Sequence, residues 1–210
     1  MTISITLVII IITVIISFLA FNDNNLKYKL TFSPYSYLHH NKFWLVFTHG
    51  FIHADYLHLA FNMYVLYMFG INIEAFFLAT SSIGFIFYLS LYLGGMVFAT
   101  LPSIIKHRDN PNYLSLGASG AVSGIVFTFI IIEPLAPLGL IIIPGLSIPG
   151  FIFGLLYLLA ENYMIKKGGS NIAHDAHISG AIFGLIFIAL YDYRIYINFF
   201  ESINQYIGLS

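Results

Sequence analysis

Charged residues divide this chain into long apolar runs. The segments 1–22, 56–73, 75–105, 110–132, 134–160 and 176–191 contain no Asp, Glu, Lys or Arg. A helix needs about 20 apolar residues to cross the hydrocarbon core of a bilayer. The pattern therefore predicts an all-α membrane protein, a single domain of six transmembrane helices over residues 1–210. Their approximate cores are 3–21, 56–73, 76–100, 118–133, 149–165 and 175–192. The first run lacks a basic leader region and a clear small-residue cleavage site, and its apolar stretch is too long for a signal peptide. It reads as an uncleaved first helix.

The polar segments between the runs are unequal. The first, from Asn22 to about Ala54, is long and rich in Tyr, Phe, His and Lys, a mixture that suits the headgroup region. The second is short, around Asn72–Glu74, and the third carries the turn signal KHRDNPNY, Lys106–Tyr113. The fourth holds Pro134, Pro137, Pro144 and Pro149, which break any helix there. The fifth is KKGGSN, Lys166–Asn171, and an aromatic, polar tail after Asp192 is expected at the interface. Composition agrees with the membrane reading: 59% of the 210 residues are hydrophobic and 8% charged. There is no cysteine, which excludes disulfides and thiol catalysis. The net charge of −1, with no basic stripe, gives no footprint for nucleic acid.

Polar groups inside lipid are costly, so each needs a reason to be there. Three clusters stand out: THGFIHADYLHLAFN with His49, His53, His58 and Asn62; SLGASGAVSG, Ser115–Gly124; and HDAHISGAIFG with His174, Asp175, His177, Gly180 and Gly184. Taken singly, each has a bland account. Histidines near helix ends, His39 and His40 among them, sit at interfaces, an Asn can hold two helices together, and small-xxx-small pairs let backbones approach. Together they ask for more. Gly120/Gly124 and Gly180/Gly184 can bring the fourth and sixth helices face to face, with Ser119 beside one glycine and His177 one turn before another. A serine and an imidazole so placed make a nucleophile with its base. His58, Asn62 and backbone N–H groups near Ser119 have the composition of an oxyanion hole. The fourth helix is also short, which would set its serine end below the membrane surface.

These residues resemble the rhomboid family of intramembrane serine proteases. The likeness lies in GASG (Gly117–Gly120), in His58 and Asn62 spaced by three, and in AHISGAIFG (Ala176–Gly184), in the same order and on the second, fourth and sixth helices. It implies Ser119 as nucleophile and His177 as general base, a dyad. It also implies an oxyanion site of His58, Asn62 and the backbone amides of Ala118 and Ser119. His49 and His53 would hold the first loop and the second helix in place, Gly117 would be structural near the site, and Gly120, Gly180 and Gly184 would pack helices. The substrates implied are transmembrane segments of other membrane proteins, cut without metal or cofactor. Two departures stand out. Trp44 is followed by Leu45 where many members have Arg, and Ser123 stands where some members stack an aromatic ring on the catalytic histidine. Something else must then orient His177, or the ring is less constrained. Asp175, two residues away, points about 200° around the helix and is expected at the helix start instead.

Two other classes compete for the same residues. A proteolytically dead relative would bind and escort membrane proteins. A metal site or transporter would use His49/His53 and His174/His177, four and three apart. Orientation is a further expectation. Lys27, Lys29, Lys42, Lys106, Arg108, Lys166 and Lys167 all fall in the odd loops, and Arg194 follows the last helix. The charge rule alone would put the odd loops in the cytoplasm. The family topology puts them, and the active site, on the extracytoplasmic side, and as the constraint of a shared fold it takes precedence over a sparse set of charges. Abundant Ile, Asn, Phe and Tyr suggest an AT-rich bacterial genome, and hence a bacterial cytoplasmic membrane.

Overall fold

The structure, a computed structural model, describes residues 4–139, 145, 147–168 and 173–208. Pro144 and residues 169–171 of the fifth polar segment lie outside the described residues. Ten α-helices are described: α1 (Ile5–Asn22), α2 (Asn24–Leu30), α3 (Pro34–His39), α4 (Leu45–Thr48), α5 (Tyr56–Thr80), α6 (Gly84–His107), α7 (Ser119–Ile132), α8 (Gly150–Lys167), α9 (His174–Tyr191) and α10 (Arg194–Tyr206). A single 3₁₀ turn spans His49–Phe51.

Each of the six expected segments is helical over most of its length, except that residues 81–83, inside the expected third segment, form the turn between α5 and α6. Four of these helices, α1, α5, α6 and α9, are long and apolar enough to cross a membrane, and they make the chain an integral membrane protein. The other two differ for visible reasons. α7 has only 14 residues, and α8 carries Glu161, Lys166 and Lys167 within its 18.

α7 is the axis of the bundle. Eleven of its 14 residues are buried, from Gly120 to Ile131, against α5, α6 and α9. Glycines allow the close approach. A Cβ on Gly180 or Gly184 would run into the backbone carbonyl of Gly120 or Gly124, and one on Gly124 would come within 3.0 Å of the Gly180 carbonyl oxygen. By contrast, α8 buries only Gly150 and Gly154, and Leu155, Leu156 and Leu159 are exposed outward.

Four features differ from the sequence expectation. α5 runs on to Thr80, so Glu74 is not in a loop. Its carboxylate is met by Ser4 Oγ (2.7 Å), the Ile5 amide (2.7 Å), the Thr6 amide (2.9 Å) and Thr6 Oγ1 (2.7 Å), which replace its lost hydration at the start of α1. The first loop folds into α2, α3, α4 and the 3₁₀ turn, with Asp23 and Ser33 capping α2 and α3. The proline segment forms an antiparallel ribbon, β1 (Pro137–Gly139) with β2 (Ser147–Pro149), in which Pro137 faces Pro149. Finally, most of the tail is α10, a helix with distinct apolar and polar faces.

Candidate active site

The first turn of α7 carries Ser119, and the first turn of α9 carries His177. The glycine contacts between these helices bring the two side chains together: Ser119 Oγ lies 2.7 Å from His177 Nε2. This is within reach for proton transfer from a hydroxyl to an imidazole. Because Ser119 opens its helix, the amides of Ser119, Gly120 and Ala121 have no intrahelical acceptor; the first such bond is Val122 N–H to the Ala118 carbonyl, 3.0 Å.

Gly117 precedes the serine with φ of 112°, a conformation that L side chains rarely adopt. Its amide donates to the His49 carbonyl (2.9 Å). A Cβ there would also meet the His58 ring, 3.0 Å from Nε2. His58 sits in the first turn of α5, capped by Asp55, whose carboxylate accepts the His58 amide at 2.8 Å. The Ala54 amide donates to His58 Nδ1 (3.4 Å), which leaves the proton on Nε2, beside the serine turn and without an acceptor among the described residues. Asn62 is buried one turn on. Its Nδ2 donates to the His58 carbonyl at 2.9 Å, which leaves a second N–H.

His53 is fully buried and links three elements. Ser17 Oγ donates to the Phe51 carbonyl (3.0 Å) and has one proton, so His53 Nδ1 must donate to Ser17 Oγ (3.0 Å). Its Nε2 then accepts from the Ala118 amide (3.4 Å). The Ala118 N–H expected at the oxyanion is therefore turned toward His53. His49 is buried among the backbone of Val46, Met96 and Gly117, and neither ring nitrogen has a partner in good hydrogen-bond geometry among the described residues. Burial pushes the His49 imidazole down to about 4 and the His53 imidazole down to about 3.

Other candidates take different places. Asp175 pairs with Lys106 Nζ at 2.8 Å, at the start of α9. Ser115 is in the loop, where its backbone bridges Phe32. Ser123 Oγ lies 2.9 Å from Tyr157 OH of α8. Trp44 is exposed.

The sequence reading missed Glu161 of α8. Its Oε1 is 3.0 Å from His177 Nδ1 and its Oε2 is 2.6 Å from His174 Nδ1. The available signal was a lone acid in an apolar helix, which calls for a partner. Glu161, His174 and His177 also place three possible ligand atoms within 4.8 Å of one another, a set able to hold a metal ion. His49 and His53 do not form such a set among the described residues.

Comparison with known proteins bears on the whole arrangement. The family model described as "Rhomboid domain" matches residues 40–194. A curated relative, RHOMBOID-like protein 12, mitochondrial, of Arabidopsis thaliana, is 33% identical over 150 residues, covering 64% of this chain and 42% of that protein. Presenilin-associated rhomboid-like protein A, mitochondrial, of Danio rerio is 30% identical over 140 residues, covering 66% of this chain and 35% of that protein. The matched region spans less than half the length of either relative. The chain belongs to the rhomboid family.

Proposed function

We propose that this rhomboid-family chain is an intramembrane serine endopeptidase that hydrolyses peptide bonds in or beside transmembrane segments of other membrane proteins. The observation that carries the reading is the 2.7 Å approach of Ser119 Oγ to His177 Nε2 at the facing ends of two glycine-packed helices. His177 takes the Ser119 proton as Oγ attacks the scissile carbonyl. The oxyanion is held by His58 Nε2–H, the spare Asn62 N–H and the Ser119 amide. His177 returns the proton to the departing amine, and an acyl-enzyme remains. Water, deprotonated by the same imidazole, then releases the acyl group and restores Ser119. His49, His53 and Gly117 keep the serine turn in place.

A transmembrane helix hides its carbonyls in its own hydrogen bonds, so substrates must unwind locally. Small or helix-breaking residues near the cut are expected. Access is lateral, between α5 and the thinly packed α8. All six helices span the membrane in this reading, with the active site on the extracytoplasmic side; a C-terminal reporter active only outside the cytoplasm overturns that orientation. The proposed membrane is bacterial, on residue usage, although the relatives above carry mitochondrial names; fractionation of the source cell is the test.

Ser119→Ala and His177→Ala, reconstituted in liposomes with a transmembrane substrate, should each fall to background. Full cleavage by either variant overturns the dyad. One observation favours a second reading, a metal-binding membrane protein: the ligand set of Glu161, His174 and His177. That reading requires bound zinc and an activity lost to chelators, whereas the dyad is indifferent to chelation.

A further inference from the structure

We propose that Glu161 is a positioning residue for His177, supplied by α8, so that the site is fully competent only while α8 is docked. The inference rests on the peptidase reading and adds a third side chain to it.

Attack by Ser119 requires His177 Nε2 to carry a lone pair, and therefore requires the proton on Nδ1. An ionised carboxylate can only accept hydrogen bonds. Glu161 Oε1, 3.0 Å from Nδ1, fixes that tautomer and aims the ring at Ser119, 2.7 Å away on its other side. It also stabilises the imidazolium that forms as the serine proton arrives. His174 Nδ1 at 2.6 Å from the second oxygen fixes the carboxylate's rotation. Position 123 of α7, one turn after Ser119, carries Ser and no aromatic ring. The Ser123 hydroxyl instead meets Tyr157 OH at 2.9 Å, and Tyr157 lies one helical turn before Glu161 on the same face of α8. Helix docking and imidazole orientation thus use one face of one helix.

That face is held lightly. Besides the Ser123–Tyr157 contact, α8 faces α7 at Gly154, where an added Cβ would lie 3.2 Å from Ile130 and 3.5 Å from Phe127. The Phe151 amide donates to the Pro134 carbonyl at 2.9 Å near the ribbon. Displacing α8 to admit a substrate helix draws Glu161 away from His177, and redocking restores the contact. The open, substrate-accepting form is therefore the poorer catalyst, which limits hydrolysis until the helix returns.

Two readouts on the full chain in liposomes separate positioning from gating: turnover of a transmembrane substrate, and labelling of Ser119 by a small fluorophosphonate that needs no lateral access. Glu161→Gln should lower kcat about 10²-fold, leave KM within about 3-fold, and slow labelling by the same factor as kcat. Glu161→Asp should fall between wild type and Gln. Labelling at the wild-type rate in Glu161→Gln overturns the proposal, whether or not substrate cleavage is impaired. Should the Gln variant fail to fold, Glu161→Asp carries the test: labelling slowed at least about 5-fold supports the inference, and wild-type labelling overturns it. The two proposals fail differently. Substrate cleavage by Ser119→Ala removes the peptidase reading, whereas an inactive Ser119→Ala beside an unimpaired Glu161→Gln removes only this one.

Discussion

Glu74 and Glu161 are both carboxylates within helices of an apolar bundle, and they are answered by different partners. Glu74 accepts from two backbone amides at the start of α1 and from the hydroxyls of Ser4 and Thr6. None of those donors can change its protonation in the working pH range, and helix dipole and charge agree. That end joins α1 to α5, and among the described residues no imidazole meets Glu74. Glu161 meets two imidazoles instead, and one of them touches a serine hydroxyl. The residue type is the same, and the neighbours differ: backbone amides and hydroxyls for Glu74, imidazoles for Glu161. Packing differs in parallel: Glu74 lies on α5, which has eight buried residues, while Glu161 lies on α8, which has two.

Adding one methyl group at each end tests this contrast. At Gly180 the new Cβ meets the Gly120 backbone, where nothing can rotate aside, so α7 and α9 must separate and Ser119 must leave His177. Gly180→Ala should lower turnover about 10²-fold or more. At Gly70 the new Cβ meets the Tyr88 hydroxyl at 2.8 Å and the Thr6 methyl at 2.9 Å, beside Glu74. Gly70→Ala should cost about 1–3 kcal/mol of stability with turnover per folded molecule unchanged. Equal turnover losses in the two variants would erase the distinction between the ends.

Glu74→Gln sharpens it further. It removes a charge from four donors and should destabilise the fold by about 2–4 kcal/mol, read as a lower melting temperature in detergent, with kcat within about 2-fold. Acid acts at the other end. His49 and His53 have folded values below the ordinary 6.5, so the folded state binds fewer protons there. Their contribution is complete above about pH 6.5 and is lost as pH falls toward about 4 for His49 and about 3 for His53. Protonating His53 also removes the acceptor of the Ala118 amide, so the serine turn should loosen at the acid end of that window. Melting temperature should drop over that window, and replacing His53 by Gln should flatten part of the drop. The smallest effect is expected at Asp175→Asn, which removes a half-exposed pair with Lys106 worth about 0–1 kcal/mol and should leave turnover within about 2-fold.

Much of this arrangement was legible in the sequence because it is carried by local spacing. The glycine pairs, Ser119 beside Gly120 and His177 three before Gly180 are all readable within a helical turn or two. The helices themselves followed from the apolar runs. Glu161 was not legible in the same way: its partners lie 13 and 16 positions downstream, across a chain reversal. Glu74 misled, because a charge at the edge of an apolar run reads as a loop until its donors, nearly seventy positions earlier, are in place. Pro137 and Pro149 were read as helix breakers, which they are, but their antiparallel register, with Pro137 opposite Pro149, is a pairing that local spacing does not reveal. The departure at Ser123 left either another partner for His177 or a less constrained ring, and α8 brings a carboxylate to its Nδ1.

The most direct test of the central claim is the site and rate of fluorophosphonate modification in the reconstituted protein. The account predicts one label per active chain, carried on Ser119 by peptide mapping, absent in Ser119→Ala and slowed at least about 10³-fold in His177→Ala. A label on another serine, or labelling of Ser119 that proceeds unchanged without His177, would contradict it.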